Sequence, residues 1–370
     1  MNEKARKAKV WDLKFARPNR WMNDMPRRIL ITGATGFVGS HIAEACALRG
    51  DAVSTIARAN SDTSFLEKIG ITIHRGDLTD VETVRRAVEG VDAIVHSAAK
   101  VGDWGPVEEY RAVNVDALRH ILETCRSDRL QRFVHISSLG VYEARHHHGT
   151  DESEPLPVRH MDGYTQTKVE AEHLALDAHR LHGLPLVVLR PGFVYGPRDR
   201  TVLPRLVDKL RNGIVQYLGD GKQAMNTIYV GNLVDAVLIA LDKPEAVGQI
   251  YNLTDGEHVS KRRFFETIAD GLGLPRPTRS KPLWLAKLAA RIMEWRARRR
   301  GAKQAPRLTQ ATVKFLGLNL DFSIEKAKRE LGYVPRVGFD EGMKRSLDWY
   351  KSSESSRRTE PATATTGGSS

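Results

Sequence analysis

Arg28-Ile29-Leu30-Ile31-Thr32-Gly33-Ala34-Thr35-Gly36-Phe37-Val38-Gly39 is an apolar run that breaks into a glycine loop and then into helical patterning ending at Gly50. Glycines in such a loop permit a tight turn and let the backbone approach a pyrophosphate seated on the positive N-terminus of the following helix. Here they hold the first, fourth and seventh places, not the more familiar first, third and sixth. A strand-to-helix turn also uses glycine for steric reasons alone. The context favours a ligand, because a second strand-like run, Ala52 to Ala57, closes a unit of the length a dinucleotide-binding motif needs.

Working outward, β-branched runs alternate with amphipathic ones. Strands are predicted at Arg28 to Thr32, Ala52 to Ala57, Thr72 to Gly76, Ala93 to Ser97, Arg132 to Ser137 and Leu186 to Arg190. Helices are predicted at Val38 to Arg49, Val81 to Glu89, Val107 to Cys125 and Gly163 to Leu181. This alternation specifies an α/β, doubly wound parallel sheet of the Rossmann type over residues 26–190. Residues 191–350 mix helical runs (Leu203 to Arg211, Gly231 to Leu241) with short strands (Ile228 to Val230, Gln249 to Leu253). They are expected to return elements to the sheet and to build a smaller C-terminal substrate cap. Residues 1–25 read as a flexible basic N-terminus, with Met25 a candidate translation start, and 351–370 as a Ser/Thr/Gly-rich disordered tail.

At the end of the second strand an NAD-preferring site places a carboxylate on the adenosine ribose, but the chain reads Thr55-Ile56-Ala57-Arg58. Arg58 suits a 2′-phosphate, so NADP is expected ahead of NAD. Among nine tyrosines only Tyr164 has a lysine four positions on, Lys168, which puts both on one helix face. An ammonium near a phenol favours the phenolate and makes the tyrosine a usable acid or base. Ser137-Ser138, closing the strand Arg132 to Ile136, adds a hydroxyl that could polarise a carbonyl oxygen. Each feature alone has a bland reading; their order along the chain does not.

With these residues the chain resembles the extended short-chain dehydrogenase/reductase (NAD-dependent epimerase/dehydratase) family from about Pro26 to about Tyr350. Further segments carrying the likeness are Gly76-Asp77-Leu78, His96-Ser97-Ala98-Ala99, Asn114-Val115 and Arg190-Pro191-Gly192-Phe193-Val194-Tyr195-Gly196-Pro197. The resemblance implies that Gly33, Thr35, Gly36, Phe37, Val38 and Gly39 cradle the dinucleotide. It further implies that Asp77 and Leu78 meet the adenine, that Ser97, Ala98 and Ala99 line the cofactor, and that Pro191 and Gly192 border the nicotinamide. Asn114 would support the active site, Lys168 would also hold the nicotinamide ribose, and Ser138 matches the catalytic serine, with Ser137 the alternative. The implied step is hydride transfer between a secondary alcohol and a ketone, with Tyr164 moving the proton.

Two segments are similar to the 3β-hydroxysteroid dehydrogenase and 2-alkyl-3-oxoalkanoate reductase branch: Ala98 to Gly105, and the stretch from Pro282 through Pro306-Arg307-Leu308-Thr309 to Tyr333. A sterol- or lipid-like 3-hydroxy/3-oxo substrate is therefore expected. Alternatives are a nucleotide-sugar epimerase or dehydratase, and a non-catalytic NADP-binding sensor, which would not need Ser138, Tyr164 and Lys168 together. A homodimer is expected from the resemblance.

Composition narrows the partners. The net charge is +12, but much of the excess lies in residues 1–28 and 291–303, with no nucleic-acid module or aromatic-laced basic stripe. No nucleic acid is expected. Trp284, Leu285, Leu288, Ile292 and Trp295 recur near helical spacing beside basic residues, so residues 283–303 suit either peripheral membrane contact or packing on the cap. No run of eighteen apolar residues and no secretory pattern occurs, and the expected location is cytoplasmic. Cys46 and Cys125, the only cysteines, read as apolar filler. His146-His147-His148 suits tetrahedral ligation poorly, and no metal is expected.

Overall fold

A computed structural model describes residues 26–125 and 130–359. The expectations for residues 1–25 and for the last part of the C-terminal tail lie outside the described residues. Five strands alternate with helices: β1 (Arg28–Thr32), α1 (Phe37–Arg49), β2 (Ala52–Ala57), α2 (Ser64–Lys68), β3 (Thr72–Arg75), α3 (Val81–Val88), β4 (Ala93–His96), α4 (Val107–Arg111), α5 (Ala117–Thr124) and β5 (Arg132–Ile136). Beyond the short strand β6 (His147–Thr150) come α6 (Gly163–His182) and β7 (Leu186–Pro191). The second half contributes β8 (Phe193–Tyr195), α7 (Val202–Arg211), β9 (Tyr217–Leu218), β10 (Ala224–Met225), β11 (Thr227–Tyr229), α8 (Val230–Asp242) and β12 (Ile250–Leu253). The chain closes with β13 (Val259–Ser260), α9 (Lys261–Leu272), β14 (Ser280–Lys281), α10 (Leu283–Arg299), α11 (Gln310–Gly317), β15 (Leu320–Phe322) and α12 (Phe339–Thr359).

Seven strands form one parallel sheet in the order β12-β7-β5-β4-β1-β2-β3. The side-chain period of two sorts its residues into two cores. Ile29, Ile31, Val95, Val134, Val187 and Leu189 face α1 and α8, whereas Leu30, Ile94, Phe133, Leu186 and Val188 face α3, α5 and α6. Near-continuous apolar strands are what a sheet covered on both faces requires.

The order reverses between β1 and β4, since the chain leaves β1 for β2 on one side and later returns to β4 on the other. Ligands of open α/β sheets bind beyond the strands' carboxyl ends at such a switch point. The residues after β1 and β4, Gly33 to Gly39 and Ser97 to Ala99, meet there.

Several elements differ from expectation. The run Val107 to Cys125 is interrupted by a π turn, Ala112–Asp116, between α4 and α5. The last helix, α12, seated by Met343, Leu347 and Tyr350, continues to Thr359, past the point where a disordered tail was expected to begin, and Glu354 in that extension pairs with Arg211 of α7 at 3.0 Å. The second half returns β12 to the sheet and covers one of its faces with α8, while α7, α9 and α12 share a core of their own and α10 and α11 another.

Candidate active site

Local sequence builds the cradle. Gly33 sits at φ +74°, and a Cβ there would lie 2.8 Å from the Ala98 backbone, so both the turn and the approach of the loop after β4 demand glycine. A Cβ on Gly39 would lie 2.2 Å from the Gly33 carbonyl oxygen. Thr32 locks the two loops together: its carbonyl accepts from Ser97 Oγ at 2.7 Å, and its hydroxyl accepts from the Ala98 N–H at 3.3 Å. Helix α1 follows Gly36, with no side chain capping it and no acid in its first turn. Its leading N–H groups thus face the crevice without a competing anion, which fits a dinucleotide pyrophosphate.

The remaining cofactor candidates flank this cradle. Arg58 is exposed just beyond β2. Asp77 lies beyond β3, where its Oδ1 accepts from the Thr79 N–H at 2.9 Å, and Leu78 packs against the core under α3. Pro191 ends β7, and Gly192 donates its N–H to Leu253 at 2.9 Å. A Cβ on Gly192 would meet the Asn226 carbonyl oxygen.

Asp162, two residues before Tyr164, caps α6 by accepting from the Thr165 N–H at 2.7 Å, which fixes the helix start. Tyr164, partly exposed, lies close enough to Ser138 for that hydroxyl to favour its phenolate. Ser138 Oγ also accepts from the Gly140 N–H at 3.0 Å, closing a short turn, Leu139–Val141. Ser137 faces the other way and donates to Glu172 Oε2 at 2.6 Å inside the protein. The structure thus brings Ser138, not Ser137, to the tyrosine.

Lys168 is buried and donates from Nζ to the Ile136 carbonyl oxygen at 2.5 Å. Burial pushes its ammonium down to about 8, against the pull of the Glu172 carboxylate. Burial pushes the Tyr164 phenol up to about 12, opposed by the neighbouring Ser138 hydroxyl and reinforced by Asp162. The expected depression of the phenol by its lysine is therefore not what this structure has. Desolvation of the phenolate sets the direction, and the ammonium is turned to the Ile136 carbonyl.

Asn114 projects from the π turn and is buried. Its Oδ1 accepts from the Lys100 N–H at 2.7 Å, and its amide donates to Thr167 Oγ1 at 2.9 Å and to the Lys100 carbonyl at 3.2 Å. It ties the loop after β4 to α6 within one helical turn of Tyr164 and Lys168.

Sequence reasoning missed the layer beneath. Tyr164, Lys168 and Glu172 follow one another at spacings of four on a single face of α6, a signal that would have found Glu172. The Glu172 carboxylate pairs with Arg190 Nε at 3.1 Å, and Arg190 Nη1 donates to Tyr142 Oη at 2.7 Å. His96 and His135 stack across β4 and β5 with centroids 5.7 Å apart. Burial foremost, with Lys168 beside them, pushes His96 down to about 3 and His135 well below its usual value. Both rings are neutral near neutral pH.

The second half of the chain reaches the site at two points. Lys314 of α11 donates to the carbonyls of Gly140 (2.9 Å) and Tyr142 (3.2 Å). On the far side, Trp104 Nε1 donates to the Ala302 carbonyl at 2.9 Å, and Thr309 donates to Asp103 Oδ2 at 2.7 Å. The His146 to His148 triplet instead stitches β6 to the segment before β15: Asn319 donates its N–H to His146 Nδ1 at 3.1 Å and its side-chain amide lies 3.2 Å from His148 Nδ1. His147 is held by Glu143 and Thr150. Among the described residues no group of three metal-ligating side chains converges.

Fold and site together define a nicotinamide-dinucleotide-dependent enzyme of the short-chain dehydrogenase type. The chain belongs to the NAD dependent epimerase/dehydratase family, whose model matches residues 29–254. It is 33% identical over 319 residues, 85% of this chain and 94% of the other, to a 4-hydroxy-2-methyl-3-oxo-4-farnesyl-3,4-dihydroquinoline-1-oxide ketoreductase of Stigmatella aurantiaca. It is 31% identical to a 2-alkyl-3-oxoalkanoate reductase of Shewanella oneidensis, over 85% of this chain and 84% of that one. Among solved structures, the crystal structure of gox2253 superposes with a TM-score of 0.75 at 27% identity, covering 88% of this chain and 98% of that one. The chain is accordingly an NAD(P)-dependent oxidoreductase acting between an alcohol and a ketone.

Proposed function

We propose that the protein reduces the keto group of a lipid-like 3-oxo substrate bearing a long apolar substituent, with NADPH preferred to NADH. The observation that carries the mechanism is the convergence of the Ser138 hydroxyl and the Tyr164 phenol beside a lysine anchored at the end of β5. The two relatives support the substrate class, one named for a farnesyl-bearing ketone and the other for 2-alkyl-3-oxoalkanoates.

The bound dinucleotide supplies the hydride. Ser138 donates a hydrogen bond to the substrate's carbonyl oxygen, and Tyr164 delivers the proton to that oxygen as it gains charge. A phenol pushed up to about 12 is protonated near neutral pH, the state a proton donor needs for reduction. Lys168, cationic below about 8, holds the nicotinamide ribose and stabilises the phenolate left behind. Asn114 positions the loop after β4 against α6. Arg58 supports NADPH, being a cation at the end of β2 where an NAD site carries an acid. A homodimer completes the reading, to be checked by sedimentation velocity.

The test is a panel of 2-alkyl-3-oxo acids, sterol ketones and nucleotide sugars, followed by loss of reduced-nicotinamide absorbance. Net oxidation of NADPH with an apolar 3-oxo compound is expected. Interconversion of a nucleotide sugar with no net consumption of cofactor would overturn the reading.

A further inference from the structure

An amphipathic helix normally buries its large apolar side chains. Helix α10 does the reverse. Its buried residues are Ala286 and Ala290, which pack with Leu218 and Val313, and Glu294, while Trp284, Leu285, Leu288, Ile292 and Trp295 stand outward, 42 to 66% exposed. At 3.6 residues per turn these five fall within an arc of roughly 100°, opposite the buried trio. They are five of the thirteen exposed large hydrophobics among the described residues, gathered on one helix of 17 residues. Apolar side chains exposed singly are ordinary, but a contiguous stripe marks a contact surface.

Charge indicates what it contacts. Across residues 281–307 there are nine lysines and arginines and one acid, Glu294. That acid is turned inward, where it accepts from the Gln310 N–H at 2.6 Å and Nε2 at 2.8 Å. Lys287 and Arg291 flank the stripe on one side and Arg296 on the other, and all three are exposed. A second copy docking the same face would bring these cations onto one another. A negatively charged bilayer surface offers the complement, and tryptophan favours the boundary where one end is apolar and the other wet.

The geometry points to α10 as a membrane-surface docking helix that lies in the plane of an anionic phospholipid bilayer with Trp284, Leu285, Leu288, Ile292 and Trp295 inserted. No helix among the described residues is long and apolar enough to cross a membrane, so the contact is peripheral. The helix is coupled to the site at both ends of the cap: α11 packs on it and holds the turn after Ser138 through Lys314, and the segment following it holds Trp104 and Asp103. Docking places the mouth of the site at the lipid surface. The inference stands on α10 alone and does not depend on the substrate proposed above.

The full chain is sedimented with vesicles of phosphatidylglycerol and phosphatidylcholine, and with phosphatidylcholine alone. Salt-sensitive binding to the anionic vesicles, with quenching of tryptophan emission by brominated lipid, is expected. Lys287→Gln/Arg291→Gln should weaken binding about thirtyfold, and Leu288→Ser/Ile292→Ser roughly tenfold or more. Unchanged dinucleotide binding and melting temperature show that these variants fold. Absence of binding to anionic vesicles overturns the proposal, as does binding that the variants leave intact. A dimer dissociated by Leu288→Ser/Ile292→Ser, without vesicle binding, would make α10 a subunit interface instead.

Discussion

Ser137 and Ser138, adjacent in sequence, serve opposite sides of one strand end: Ser137 donates inward to Glu172 at 2.6 Å, and Ser138 meets Tyr164 in the cleft. Ser138→Ala should lower kcat by about 10²- to 10³-fold with little change in dinucleotide affinity. Ser137→Ala should leave kcat within a few-fold but cost about 1.5–3 kcal/mol of stability, because a buried carboxylate loses a donor. Reversal of the two outcomes, in steady-state kinetics and denaturant titration, would reassign the catalytic serine.

Tyr164→Phe removes the proton donor and should reduce kcat by about 10²- to 10⁴-fold while cofactor still binds. Undiminished turnover would end the role given to this residue.

The pH profile follows from Lys168. Its ammonium, pushed down to about 8 by burial, is present below that pH and lost above it, while the Tyr164 phenol stays protonated to about 12. Reductase activity should therefore fall as pH rises through about 8. Glu172→Gln removes a carboxylate that favours the charged lysine, so the falling limb should move to lower pH. A limb that stays in place, or moves upward, would dissociate Lys168 from the profile.

Arg58→Ala should reduce kcat/KM for NADPH by roughly tenfold or more, the worth of one charge-assisted contact, and leave NADH nearly unchanged. Parallel loss with both cofactors would indicate that the arginine supports the loop and does not select the phosphate.

Lys261 is fully buried against Met225 and the Phe315 ring, and burial pushes its ammonium down to about 7. With its folded value below its unfolded one, the lysine destabilises the protein increasingly as pH falls from about 10.5, and the penalty is complete below about 7. Lys261→Met should raise stability by a few kcal/mol, on the order expected for a shift of this size, at pH 7 and by little at pH 10. Equal gains at both pH values would show a packing effect only.

The features legible in the sequence were those written locally. The glycine loop, the alternation of β1 to β5 and β7, and the spacing of Tyr164 and Lys168 each depend on a few consecutive residues. What escaped depends on residues brought together from afar. The choice between Ser137 and Ser138 turns on which way a side chain faces at a strand's end, settled by Glu172 on another element. The Tyr164 phenol rises because the fold desolvates it, and four-residue spacing says nothing of burial. On α10 the periodicity revealed a stripe but not its direction; the small residues Ala286 and Ala290 were the clue to the packed side.

The π turn at Ala112–Asp116 makes Asn114 a matter of phase. A π turn holds one residue more than an α-helical turn does, so α4, at the rim of the site, and α5, on the sheet, are out of rotational step with each other. Deleting Val113 would bring them into step by rotating one against the other through roughly 100°. The Asn114 amide could then not meet Lys100 and Thr167 while α5 kept its seat. A single residue of surplus length thus sets the angular offset between a helix that serves the core and a helix that serves the chemistry.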